Sequence, residues 1–435
     1  MSFKLGTQNI FSKYREKLKN NIFFQNIAVV AGGNVTAKLI GILSAPIITR
    51  LYTPEDYGVF SVFISIVAIV GSLATLRYAV TIPIAKEDNL ADNLLKLCFL
   101  ITFSISIVWF IGIALWGDFF MVKFSAENLR PFLWYMPVAF LGIGIYEALN
   151  NWAVRNRKFR LITRTKVSQG ISSAVVKVGL GVLGVIPLGL ILGHIAQEAA
   201  GITSLFSKLY QTRPSFFKTI NLHKIQNAAI RYKKFPLVQS WSQLLLVFGA
   251  QLPVIMIGAF YGVEVVGVFG LAQNMINMPM DLIGQSVAQV YYAEISKIGK
   301  NNSEKIYFLS ISIISKLFLI GLIPVGLLIA FGPWAFKLVF GPEWLEAGVF
   351  ARFLSILILT RFISSPISSI FNVYEKQSLQ LALNIIRVAL VFAVFYACYI
   401  FDFSALISIG IYSISMTVYY AFLTIIVLKV VKRNP

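Results

Sequence analysis

Charge is scarce in this chain, and acidic charge scarcest: Asp and Glu number 18 in 435 residues, and all charged residues together make up 13%. A soluble globular protein carries about 25%, so a water-facing surface of ordinary composition is excluded. Histidine is limited to His194 and His223, which leaves no HExxH metal centre. Cysteine is limited to Cys98 and Cys398, both inside apolar stretches. Neither a disulfide framework nor a thiolate metal site can readily be built there, and packing thiols are expected. There is no Walker loop and no GxGxxG behind a strand, so nucleotide hydrolysis does not supply energy. The polar connections on one side are short, the longest about 117–130 and 332–345. They leave no room for an external catalytic domain, and an enzyme is not expected.

What the chain has instead is apolar length. Mean hydropathy is +0.78 and 57% of residues are hydrophobic. With about 20 apolar residues needed per crossing, the sequence predicts an all-α polytopic membrane protein with twelve spans: 25–50, 56–79, 92–116, 131–152, 163–186, 188–208, 236–260, 265–293, 306–331, 346–372, 378–400 and 404–429. A basic arm (1–24) without a cleavable apolar core precedes them. The first six spans form an N-terminal bundle (25–208), a basic connection (209–235) follows, and the last six form a C-terminal bundle (236–435).

The net charge of +20 would suggest nucleic acid in a soluble protein, but its distribution assigns it to membrane topology. If the N-terminus is cytoplasmic and the connections alternate, 28 Lys and Arg fall on the inner side and five on the outer: Arg50, Lys123, Arg130, Lys337 and Arg352. That asymmetry is the positive-inside pattern, and it places both termini in the cytoplasm. Membrane lipids, not nucleic acid, are the expected surface partner, with the 209–235 connection against the anionic inner leaflet.

A short motif occurs twice. APIITRLYTPEDYGVFS (45–61) returns as LPVIMIGAFYGVEVVGVFG (252–270), each at the first hairpin of one half. Proline and aliphatics, a short acidic turn, then Gly-Val-Phe-small recur in order, as a duplicated transporter requires. Six spans per half is an even number, so the halves share one orientation. Pro46 and Pro253 each remove a helical hydrogen bond and permit bending in equivalent helices.

Eight charged groups remain inside spans: Lys38, Lys177, Lys316, Arg361, Arg387, Glu147, Glu198 and Asp281. Each costs about 2.5–3.5 kcal/mol at a helix centre, so they must face a cavity or one another. Lys316 and Arg387 can snorkel to an interface, and Glu198 with His194, four residues away, reads as a helix-packing pair. Lys38 at mid-helix and Arg361 in the Ser-rich, proline-broken RFISSPISS are candidate functional groups. In the eighth span, Gln273, Asn277, Asp281, Gln285 and Gln289 recur every fourth residue and sweep about 160° of the helix, which predicts a wet cavity wall. Asp281 and Glu147 are the candidates for ion coupling, since a carboxyl group in a low-dielectric interior can exchange a proton as its surroundings open and close.

Three segments carry a resemblance to a family: GGNVTAKLIGILSAPIITRLYTPEDYGVFSVF (32–63), LRYAVTIPIAKEDNLADNLL (76–95) and NNWAVRNRKFRLITR (150–164). The chain resembles the Wzx-type polysaccharide and O-antigen flippases of the multidrug/oligosaccharidyl-lipid/polysaccharide exporter superfamily. The resemblance spans all twelve helices, with the motifs concentrated in the first half. It implies two six-helix bundles around a central cavity, at the bacterial inner membrane, exporting an undecaprenyl-diphosphate-linked oligosaccharide. Polymerase and glycosyltransferase partners are implied, with no cofactor beyond a proton or sodium gradient. On that reading Lys38, Arg361, Arg387 and Lys177 bind diphosphate, with arginine favoured for bidentate contacts, and Asn277 and Gln285 bind sugar. A multidrug or cation exporter of the same superfamily and a lipid II-type flippase are the alternatives. The first would want a mainly acidic cavity, and the second is usually built with two more helices.

Overall fold

The computed structural model describes residues 22–123, 127–214, 216, 221–299 and 302–432. Most of the basic arm, part of the 209–235 connection and the last three residues lie outside that set. Among the described residues every regular element is helical. The long helices are α1 (Ile22–Leu51), α2 (Pro54–Gly71), α3 (Asp88–Lys123), α4 (Tyr135–Arg155), α5 (Phe159–Val182), α6 (Leu188–Ala199) and α7 (Ile202–Thr212) in the first half. After the connecting helix α8 (Leu222–Arg231) come α9 (Ser240–Tyr261), α10 (Val263–Ile298), α11 (Ser303–Phe340), α12 (Leu345–Ile367), the short α13 (Ile370–Val373), α14 (Gln377–Ile400) and α15 (Ala405–Lys432).

Among the described residues, seven helical stretches are long and apolar enough to cross a membrane by themselves: Pro54–Gly71, Asp88–Phe119, Phe235–Tyr261, Ser303–Phe340, Pro342–Val373, Gln377–Ile400 and Ala405–Lys432. The remaining helices, α1, α4, α5, α10 and the short α6 and α7, supply much of the cavity walls described below. Helices α3 and α11 turn Ile107, Val108, Leu115, Leu319 and Ile323 outward. Exposed apolar surface on that scale suits lipid and not water.

The packing pattern of the first half recurs in the second. α1 lies on α5 as α9 lies on α14; α3 on α4 as α11 on α12; α4 on α6 as α12 on α15; α5 on α6 as α14 on α15. The halves meet chiefly where α2 crosses α10 and α9. At that crossing a Cβ on Gly58 would collide with the backbone carbonyl of Val263, and a Cβ on Gly267 with that of Pro54. Each glycine stands four residues into its helix, so the contact is reciprocal, and these are the glycines of the repeated Gly-Val-Phe motif. Only a residue without a Cβ allows this approach.

Local chemistry fixes the hairpin that presents Gly58. Thr53 caps α2: its hydroxyl accepts from the Asp56 N–H at 3.3 Å and the Asp56 carboxylate accepts from the Thr53 N–H at 2.8 Å, a capping box that contributes about 1 kcal/mol. At the same end Trp344, fully buried, donates its indole N–H to the Thr49 carbonyl at 2.9 Å and meets the edge of Tyr57 at 5.4 Å. The two halves are thus tied together at what we term the hairpin end.

Two departures from the sequence reading shape the site. The second span ends at Gly71 and not at 79, because Leu76 and Arg77 adopt left-handed backbone (φ 45° and 61°) and a 3-10 turn follows at Tyr78–Thr81. Tyr78 there donates to the Ala229 carbonyl of α8 at 3.1 Å, which binds the connection to the first half. The sixth span is broken between α6 and α7, where Gly201 packs against the Tyr146 ring.

Candidate functional site

Small residues bring α1 and α5 together: Gly170 faces the Ala37 backbone, where a Cβ would lie 3.0 Å from the Ala37 Cα, and Gly33 faces Thr163. That approach places Lys38 of α1 and Lys166 and Lys177 of α5 on one cavity of about 520 Å³, walled also by α2, α6 and α10. Amides from Asn34, Gln169, Gln197, Asn274 and Gln285 line it, with Tyr57 and Phe60 as aromatic faces and no carboxylate. The lysines are held by rings: Lys177 Nζ lies 4.7 Å from the Phe60 centroid, and Lys166 Nζ lies 4.7 Å from that of Tyr146. Lys166 also donates to the Gln169 side-chain oxygen at 3.2 Å, while Tyr52 donates to the Lys177 carbonyl at 2.7 Å and fixes that turn of α5. Three ammonium groups with amides and aromatic faces suit an anionic, sugar-bearing ligand.

A second cavity, about 660 Å³, lies between α2, α4, α6 and α9 and holds the acids, Glu147 and Glu198, with Arg77, Asn150, Gln243 and Gln251. Glu147 accepts from the Thr75 hydroxyl at 3.0 Å and faces Arg77 at 3.9 Å. Arg77 Nε and Asn150 Oδ1 are buried without a hydrogen-bond partner, so this cavity holds polar groups that water or an ion can satisfy. His194 and Ile64 line both cavities. The acidic and the cationic cavities are therefore neighbours divided by those side chains.

Of the residues singled out in the sequence, Lys38, Lys177 and Gln285 come together in the cationic cavity, and Glu147 lies in the acidic one. Arg361, Arg387, Asn277 and Asp281 line neither. Arg387 donates to the Leu246 carbonyl at 3.3 Å and packs against Gly249, joining α14 to α9. Arg361 makes no ion pair among the described residues. On α10 the cavity residues are Asn274, Met275, Met278 and Gln285, so Gln273, Asn277 and Asp281 of the predicted wet face do not line it. His194 and Glu198, read as a packing pair, each sit on a cavity wall. Lys166 and Arg77, which the sequence did not single out, are cavity residues too. The spacing Lys166, Gln169, Ser173, Lys177 is a polar helical face visible in the sequence, whereas nothing local signals Arg77 beside Glu147.

Comparison with known proteins adds to this geometry. The family described as "Polysaccharide biosynthesis protein" matches residues 47–349. The lipopolysaccharide biosynthesis protein WzxC of Escherichia coli (strain K12) is 21% identical over 359 residues, 80% of this chain and 69% of that protein. Among solved structures, the lipid II flippase MurJ in an inward closed conformation superposes with a TM-score of 0.73 at 15% identity, covering 94% of this chain and 90% of that one. An inward-facing multidrug resistance transporter of the MATE family, in the MOP superfamily, superposes at 0.71 with 16% identity, covering 92% and 96%.

Proposed function

The chain belongs to the polysaccharide biosynthesis protein family, flippases of the MOP exporter superfamily, and from that premise we propose that it moves an undecaprenyl-diphosphate-linked oligosaccharide from the cytoplasmic to the outer leaflet of the bacterial inner membrane. The observation that carries this reading is the carboxylate-free cavity with Lys38, Lys166 and Lys177. A diphosphate crossing a bilayer needs compensating positive charge, and hydrogen bonds to charged groups contribute about 1.5–3 kcal/mol each. The amides and aromatic faces beside the lysines receive the sugars, and the polyprenyl tail remains in lipid.

Alternating access moves the cavity between leaflets, with both termini and the 209–235 connection in the cytoplasm. Coupling to a proton or sodium gradient falls to Glu147 and Glu198 in the neighbouring cavity, with Asp281 as the comparison. Glycosyltransferases supply the substrate and a polymerase consumes it.

The test is translocation of a labelled lipid-linked oligosaccharide in proteoliposomes. Lys38→Gln and Lys177→Gln each lower the rate about 10-fold or more, the loss of one charged hydrogen bond, while Lys38→Arg keeps most of it. Unchanged rates in the Lys38→Gln/Lys177→Gln double variant, with normal insertion, would refute the reading. Efflux of organic cations that depends on Glu147 and Glu198 and spares the lipid-linked oligosaccharide would favour a multidrug exporter.

A further inference from the structure

The turn between α4 and α5 holds a group of charges that neither cavity uses. Arg157, Lys158, Arg160, Arg164 and Lys208 line a third cavity, about 540 Å³, with Phe159 and Leu161. Arg157 sits in left-handed backbone (φ 54°), which turns the chain sharply between the helices. No carboxylate lines this cavity, and among the described residues none of the five cations makes an ion pair. Lys158 stacks over Trp152 at 5.0 Å and Lys208 donates to Gln211 at 3.2 Å.

Nearby basic residues are treated differently. Arg155 binds the Ile82 and Ala85 carbonyls and Asp88, and Arg213 binds Asp88 and Asp92. Acids are therefore present in the neighbourhood, yet they neutralise those two arginines and leave the five-cation cavity alone. Burial and the Lys208 ammonium hold the Lys158 amine below the usual lysine range, so the cluster repels itself until an anion enters.

We infer that this cavity binds the net-anionic phosphate-ester head of an amphiphile at the membrane surface. Arginine forks fit phosphate oxygens, and Phe159 and Leu161 offer apolar surface to the first carbons of a chain. The same helix that begins here, α5, carries Lys166 and Lys177 to the cationic cavity, and from Arg160 to Lys177 it rises about 26 Å. A phosphate ester held at the turn thus stands at the foot of a helix lined with further cations. Two sources share this chemistry, a resident anionic phospholipid and the diphosphate of an arriving substrate. Assigning the cavity to the cytoplasmic face rests on the orientation proposed above; binding itself does not.

The test is equilibrium binding to the purified full-length protein in neutral detergent. The probes are dioctanoyl phosphatidylglycerol, dioctanoyl phosphatidylcholine and inorganic pyrophosphate. Arg160→Gln/Arg164→Gln is expected to weaken phosphatidylglycerol about 10-fold, while Lys297→Gln/Lys305→Gln, an equal loss of charge between α10 and α11, changes it less than about 2-fold. Competition by pyrophosphate assigns the site to a diphosphate head, and its failure to compete assigns it to a resident phospholipid. Equal weakening in both double variants, or equal binding of phosphatidylcholine, overturns the inference. Unchanged translocation in Lys38→Gln/Lys177→Gln counts against the proposed function and not against this site, whose binding is read on Arg160→Gln/Arg164→Gln.

Discussion

At the scale of single residues, the contrast between Glu147 and Asp281 is the most informative. Glu147 is partnered by Thr75 and Arg77 inside a polar cavity, whereas Asp281 lines neither cavity. Glu147→Gln is therefore expected to flatten the pH dependence of translocation, and Asp281→Asn to retain it, in rates measured across the acidic-to-neutral range. The pair with Arg77 is long and both side chains are about 30% exposed, so its loss costs on the order of 1 kcal/mol and leaves the fold intact. If Glu147→Gln/Arg77→Gln restores normal pH dependence, the acid is only a partner for Arg77.

Legibility differs among these residues for a physical reason. Lys38 and Lys177 could be singled out because a charge within an apolar run has no cheap structural role. Arg77 could not, because its place depends on α2 stopping at Gly71 and on a left-handed turn, and neither leaves a pattern in hydrophobic periodicity. Arg361 looked equally unusual in the sequence, yet which cavity a charge faces is set by helix rotation, which a run of apolar neighbours does not encode.

Among the elements, the α2–α10 crossing makes the sharpest prediction. Gly58→Ala and Gly267→Ala each force a methyl group into backbone, a strain of about 1–3 kcal/mol or more. Either is expected to lower the apparent Tm and the folded yield by size-exclusion chromatography. Gly112→Ala, where nothing lies within 4 Å, serves as the silent control. The repeat marked these glycines in the sequence, but their reciprocal contact required the packing of α2 on α10. The break between α6 and α7 was hidden because its apolar pattern continues across Ala200 and Gly201 and only the approach of Tyr146 distinguishes them.

For the whole molecule, the charge asymmetry and the closed hairpin end lead to two expectations. After replacement of the buried Cys98 and Cys398, Gln226→Cys on α8 and Glu343→Cys beside α12 are expected to react with impermeant thiol reagents from opposite sides. Reaction of both from one side would end the twelve-span topology. The Trp344 bond to Thr49 closes the molecule at the end proposed to face outward. Trp344→Phe leaves that carbonyl unpaired, and a Ser44→Cys reporter in the cationic cavity is expected to react faster with external reagent. No change in rate would place the seal elsewhere.

The reciprocal fit of Gly58 and Gly267 also bears on how such a protein can change over generations. Two halves that repeat one packing pattern can ordinarily diverge independently, but here each half occupies the space that the other's missing side chain leaves open. Neither half can be inherited from a relative without inheriting its counterpart's tolerance at this point. A hybrid joining this first half to a relative's second half is viable only where the position matching Gly267 is equally small, so the crossing acts as a compatibility test between two ancestries within one chain.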